Sequence, residues 1–306
     1  MSAGPSRSWP RAVAVAALLA VTAGCGGDAE PAPTAEASSA EPSVIRVNPL
    51  PDGETHTHAP GEGHATPLGD GTTPAAGGYR LADVRLDARP GRPGEVSFRV
   101  LDRDGRPVTE YVEEQTKLLH LYVVRTDLTD FRHLHPVLAD DGTWTARVDL
   151  AAGGSHRVLA ELTPADAGRP VALGVTVAVP GRSASDPGED GPVDGGDGVL
   201  TAEVADGGEV GPDGRLALVV AAEGGAAVQL GSYLGTSAHL TGFRTEGGQF
   251  VHVHPYGEPE PTDAGTRLTF HTTFAEPGDY RLFLQVRVEG FLHTLPVTAE
   301  VTSPRS

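Results

Sequence analysis

Histidine is the residue whose placement in this chain invites chemistry. Of 12 histidines, six fall into two sets of three, with His120, His133 and His135 followed by His239, His252 and His254 at a constant offset of 119 residues. Leu-His-Pro at 134–136 answers Val-His-Pro at 253–255, and Leu121 answers Leu240. Imidazole nitrogen suits Zn(II) and Cu(II), and a His-x-His pair joined by a third histidine from an adjacent strand is a common way for a β protein to hold such an ion. The bland alternative is that the histidines bond one another or a turn backbone, and that Pro136 and Pro255 serve only to end a strand. Duplication copies either role equally well.

Whether the rings converge depends on the strands that carry them. Lys117 to Thr126 and Phe131 to Val137 are strand-like, and Asp127-Leu128-Thr129-Asp130 is a good turn between them. Pairing Thr126 with Phe131 places Tyr122 opposite His135 and Val124 opposite His133. His120, His133 and His135 then share one face, and Leu119, Leu121, Val123 and Leu134 fall on the other for the core. In the second half, Glu246 opposite Gln249 across Gly247-Gly248 gathers His239, His252 and His254 and leaves Leu240, Val251 and Val253 to the core. His254 becomes a diagonal neighbour of His239, roughly 7–8 Å away. A slip of one residue would separate these sets. His271 and His293 have no repeat counterparts, since Arg147 and Val171 stand at the aligned positions, and are additional candidates as ligands or plain surface residues. His156 aligns with Tyr280 and reads as structural.

The repeat extends beyond the histidines. Gly153-Gly154-Ser155-His156-Arg157-Val158-Leu159 aligns with Pro277-Gly278-Asp279-Tyr280-Arg281-Leu282-Phe283 after an insertion around Glu258 to Gly265. Both halves are short alternating runs of Val, Leu, Phe and Thr broken by turn clusters, without a helical period. The expected fold is all-β: two tandem immunoglobulin-like β-sandwich domains, 79–180 and 199–303, joined by an acidic Pro/Gly/Asp linker at 181–198.

Ahead of them, residues 25–78 are Ala, Pro, Glu, Gly and Thr with little apolar content and read as a disordered tether. His56, His58 and His64 within it are further loose metal candidates. Residues 1–24 read as a signal peptide: Arg7 and Arg11 precede an apolar run from Ala12 to Val21, too short for the roughly 20 residues of a membrane span. The run closes on Ala23-Gly24-Cys25, which resembles the lipobox of bacterial lipoproteins, with Thr22 where Leu is usual. Cys25 is therefore expected to carry lipid such as palmitate and to hold the chain on the extracytoplasmic face of the cell membrane.

Removing residues 1–24 takes away Arg7 and Arg11 and no acid, moving the formal charge from −18 to −20. That sign disfavours nucleic acid and anionic headgroups and enriches cations near the surface. With Cys25 lipidated and Met1 removed, no methionine and no free thiol remain, which excludes a blue-copper centre and disfavours Cu(I) traffic. No Gly-x-Ser-x-Gly elbow, His-Glu-x-x-His helix or phosphate loop is present, so no enzyme is expected.

Tyr233-Leu234-Gly235-Thr236-Ser237-Ala238-His239-Leu240, Phe250-Val251-His252-Val253-His254-Pro255 and the turn at Pro277-Gly278-Asp279-Tyr280 resemble secreted actinobacterial lipoproteins described as heavy-metal-binding-like. They are less closely similar to YtkA-like immunoglobulin-type domains. The first half departs from the pattern, with Glu113-Glu114-Gln115-Thr116-Lys117 in place of Leu234-Gly235-Thr236. The resemblance implies envelope metal handling. The resulting expectation is a tethered binding protein for Cu(II) or Zn(II) that serves an envelope transporter or enzyme. The alternative from another class is an adhesion or scaffold module of paired domains with structural histidines.

Overall fold

The computed structural model describes residues 65–182, 195–211 and 214–304. The expected signal peptide, Cys25, His56, His58, His64 and residues 183–194 of the expected linker lie outside them. No helix occurs among the described residues. The first repeat contributes β1 (Ala75–Ala76), β2 (Tyr79–Arg89), β3 (Arg92–Leu101), β4 (Tyr111–Val112), β5 (Leu119–Arg125), β6 (Arg132–Leu134), β7 (Val137–Leu138), β8 (Thr143–Val148), β9 (Gly154–Pro164) and β10 (Val171–Val179). The second contributes β11 (Leu200–Asp206), β12 (Gly208–Glu209), β13 (Gly214–Ala222), β14 (Leu230–Gly231), β15 (Ala238–Arg244), β16 (Phe250–Pro255), β17 (Glu260–Thr262), β18 (Gly265–Thr272), β19 (Gly278–Val288) and β20 (Phe291–Thr302).

Each repeat is an immunoglobulin-like sandwich. In the first, β1-β2-β3-β8-β7 faces β10-β9-β5-β6. Their inward residues, among them Val96, Phe98, Leu121, Trp144, Val158 and Leu173, form one core. In the second, β11-β13-β18-β16 continues through β16 into β15-β19-β20-β12, over a core that includes Leu218, Leu240, Val253, Phe270 and Leu284. The duplicated His-x-His-Pro element sits where the chain passes from one sheet to the other. In the second repeat β16 pairs with β15 through Val251–Val253 and with β18 through His254 and Pro255. In the first, Pro136 divides the same strand into β6 and β7.

Sheet register differs from the sequence expectation by two residues. Tyr122 pairs with His133 and Leu121 with Leu134, so His120 extends toward the position opposite His135. Leu240 pairs with Val253 and Thr241 with His252. The reason lies in the loops. Arg244 N–H donates to the Gln249 carbonyl, so four residues, Thr245 to Gly248, make the second turn where two were expected. A shift of two preserves side-chain parity.

The first sandwich also begins earlier than Tyr79. Leu68 bridges Val171 and β1 pairs with β2. The Gly-rich composition of 65–78 that suggested a tether instead allows close approach: a Cβ on Gly174 would stand 1.9 Å from the Gly71 carbonyl oxygen. Only glycine lets these two backbones touch.

Candidate metal centre

Alternation on β5 sends Leu119, Leu121 and Val123 into the first core and His120, Tyr122 and Val124 the other way, yet all seven residues of the strand are buried. What covers the second face is the other sandwich. Tyr122, Val124, Phe131 and Leu159 of the first repeat pack with Phe243, Phe250 and Phe283 of the second in a separate apolar cluster. Phe131 and Phe283 stack with ring centres 4.1 Å apart and planes 5° from parallel. Polar ties accompany the cluster. Arg157 donates to the Gly248 carbonyl, and Phe250 N–H donates to the Asp70 carbonyl at 2.8 Å.

The histidines meet at one edge of this seam. One ring nitrogen from each of His120, His133 and His135 falls within 4.8 Å of the others. His239 arrives from the second repeat, its ring centre 4.6 Å from that of His133 and 5.5 Å from that of His120. The first expected triad gathers, and His239 of the second stands beside it. Gln115 of the first repeat reaches both His239 and His254 of the second. Its Oε1 accepts from His239 Nδ1 at 2.7 Å, and its Nε2 lies 3.4 Å from His254 Nδ1. His252 is placed by its backbone opposite Thr241.

Protons on the rings follow from their outer partners. Gln285 Oε1, from the second repeat, accepts from His133 Nδ1 at 2.7 Å, which puts the His133 lone pair on Nε2. The Glu114 carbonyl accepts from His120 Nε2 at 3.1 Å, which puts the His120 lone pair on Nδ1. Those two lone-pair nitrogens face each other at 3.0 Å. Two acceptors so close repel unless a proton or a metal ion lies between them. Nitrogen ligands about 2.0–2.1 Å from one tetrahedral ion are roughly 3.3 Å apart, so this separation already suits shared coordination. His135 Nε2 is buried with no hydrogen-bonding partner among the described residues. Bringing it onto the same ion asks for a movement on the order of 1 Å.

Burial, reinforced by His120 and Lys117, pushes His135 from 6.5 down to about 3, which keeps the ring neutral and able to ligate at ordinary pH. Because the folded value lies below the unfolded one, the unfolded chain binds the extra proton between about pH 6.5 and 3. Stability contributed by this group is complete above pH 6.5 and falls as pH drops through that window, by up to about 1.4 kcal/mol per pH unit. Urea unfolding of the chelator-treated chain at pH 7.5 and 5.0 should show this loss, and His135→Gln should reduce it. An equal loss in both chains would remove His135 as its source.

Tyr122 and Glu161 complete the cluster and were not singled out in the sequence. The Tyr122 hydroxyl lies 3.3 Å from both Glu161 Oε2 and His239 Nε2, and burial, aided by the Glu161 charge, holds the phenol well above its usual pKa and therefore protonated. Glu161 is the β9 partner of His120. A signal for it existed: Glu161 and Gln285 are lone polar residues in apolar runs at matching repeat positions. Beside the cluster opens a cavity of about 380 Å³, bounded by His120, Glu114, Gln115, Lys117, Glu161, Arg169, His254 and His271 among others. His293 points elsewhere, its Nδ1 2.7 Å from Asp197 Oδ2. His156 is fully buried against Asp130.

Residues 74–179 and 193–303 match the family described as a domain of unknown function, DUF8832. The chain belongs to the DUF8832 family. Its two DUF8832 segments coincide with the two sandwiches, and the match lends no support to the resemblance to heavy-metal-binding-like lipoproteins. No curated protein matches the chain. Among solved structures it is similar to FdeC, an Escherichia coli adhesin, at 14% identity and a TM-score of 0.24, over 78% of this chain and 66% of that one. The Yersinia pseudotuberculosis adhesin InvE follows at 13% and 0.21, over 72% and 57%. A titin immunoglobulin tandem, A164-A165, matches at 12% and 0.18, over 74% and 99%. The DUF8832 chain thus spans just under two thirds of the FdeC chain and about half of the InvE chain. Scores of this size carry no functional argument.

Proposed function

We propose that this DUF8832 protein is a lipid-anchored, extracytoplasmic binding protein for a divalent transition metal, Cu(II) or Zn(II). The ion is held by His120, His133 and His135 at the seam between the two sandwiches. One observation carries the reading: Glu114 and Gln285 orient His120 and His133 so that His120 Nδ1 and His133 Nε2 stand 3.0 Å apart, beside a buried His135 Nε2 that has no hydrogen-bonding partner among the described residues. Ligating histidines are ordinarily oriented by a bond from their other ring nitrogen to a carbonyl or similar acceptor, which is the arrangement around His120 and His133. The absence of soft ligands favours nitrogen-bound Cu(II) or Zn(II). Lipid on Cys25 places the site outside the membrane, where an envelope transporter or enzyme is the natural recipient of the ion.

The test is calorimetric titration of the full chain with Zn(II) and Cu(II), with His56, His58 and His64 replaced by alanine so that the tether does not contribute. Dissociation in the micromolar range or tighter is expected. Only weak binding, unchanged when His120, His133 and His135 are also replaced, would refute the reading.

A second reading follows from the bonds that cross the seam, His133 to Gln285 and His239 to Gln115. Here the histidines are structural, a shared proton lies between His120 and His133, and the paired sandwiches form a rigid adhesion or scaffold module. It requires histidine replacement to destabilise the metal-free chain while zinc leaves the melting temperature of the unsubstituted protein where it was.

A further inference from the structure

Two histidines of the second repeat stand outside the central cluster. His254 and His271 are directly opposed across β16 and β18. Directly opposed residues of an antiparallel pair project from the same face with Cβ atoms about 4.5–5.5 Å apart. Imidazoles at that spacing can bridge one ion through nitrogens at roughly 2.0–2.1 Å. Both residues are half-buried and both line the cavity that also exposes His120 of the central cluster. The Gln115 amide approaches His254 Nδ1 at 3.4 Å, the long end of hydrogen bonding, and orients the ring.

We propose that His254 and His271 form a second, weaker divalent-metal site on the cavity wall, from which the ion passes across the cavity to His120 and its partners. The sequence of transfer rests on the central site being a metal site; the existence of the second site does not. Charge in the cavity is mixed. Glu114 and Glu161 favour a cation, while Lys117 and Arg169 oppose one. A hard ion such as Ca²⁺ or Mg²⁺, which depends on carboxylate oxygen, therefore gains little, whereas Zn(II) gains the two imidazoles. The acidic chain, at a formal charge of −18, supplies a general attraction for cations toward the mouth.

Zn(II) alone is the probe, used on the full chain with His56, His58 and His64 replaced by alanine. Calorimetry should give two equivalents, one tight and one weak. The His254→Ala, His271→Ala double variant should keep the tight equivalent, lose the weak one and load the tight site severalfold more slowly in stopped-flow competition with a zinc dye. His271→Gln alone, which leaves His254 and its Gln115 contact in place, guards against a folding defect and should give the same pattern. Retention of both equivalents in these variants overturns the proposal, as does loss of both. Loss of the weak equivalent with unchanged loading overturns the transfer route. A parallel His133→Ala chain separates the two ideas: if it keeps the tight equivalent, the central site fails, and the His254 and His271 site is judged on its own variants.

Discussion

Replacing His133 by alanine is expected to weaken Zn(II) binding by the full chain by about 100-fold or more, the largest effect of any single change in the cluster. His133 is the ring on which the others converge. Its centre lies 4.7 Å from that of His135, 4.6 Å from that of His239 and 4.6 Å from that of Tyr122, and its Nε2 faces His120 at 3.0 Å. Gln285→Leu should produce a smaller version of the same loss, about 10- to 100-fold, although Gln285 donates nothing to the ion. Its role is to hold the proton on His133 Nδ1, and it does so from the other domain. Both variants should also cost the metal-free chain about 1–3 kcal/mol, because each leaves a partner unsatisfied in a mostly buried site. Stability alone therefore does not separate a metal site from a structural cluster. Affinity does: a change of less than about threefold in His133→Ala would remove the ion from this site.

Much of this arrangement is legible in the amino-acid sequence, for reasons that also explain what is not. The constant offset between His120, His133, His135 and His239, His252, His254 identifies two copies of one domain. Strand alternation sorts the apolar residues correctly: Leu119, Leu121 and Val123 enter one core, Leu240 and Val253 the other. Parity survives a wrong register when the error is two residues, and the loop at Thr245 to Gly248 introduced such an error. Alternation says nothing, however, about what lies beyond the outward face. His120, Tyr122 and Val124 would read the same on a solvated sheet as on one covered by a second domain. The hints were Phe131, Phe243, Phe250 and Phe283, large aromatics on faces that the single-domain pattern assigns to the outside. Gln115 escaped notice for a related reason. It sits in the stretch where the first repeat departs from the second, with a positive φ of 46° that no sequence period signals, and it is this departure that lets it reach His239 and His254.

Phe283→Ala is expected to destabilise the chain by about 3–5 kcal/mol and, at a distance, to weaken metal binding. The ring is 1% exposed and stacks on Phe131, 7% exposed, across the seam, so its removal opens a cavity that neither sandwich can close without moving against the other. In a double-mutant cycle with Phe131→Ala, the coupling should be about 0.5–1.5 kcal/mol, the range for a direct aromatic pair. The consequence for metal follows from the strand. Phe283 and Gln285 are two residues apart on β19 and therefore project from the same face, one filling the apolar cluster and the other holding His133. A seam that loosens at Phe283 shifts Gln285 relative to His133, and the His133 ring loses the acceptor that fixes its tautomer. Leu282→Ala supplies the control. That side chain enters the core of its own sandwich, so its loss should cost comparable stability while leaving the affinity of the folded fraction nearly unchanged. Equal affinity in Phe283→Ala and Leu282→Ala would mean that the His133 site does not depend on the contact between domains, and that the two sandwiches are joined without being coupled.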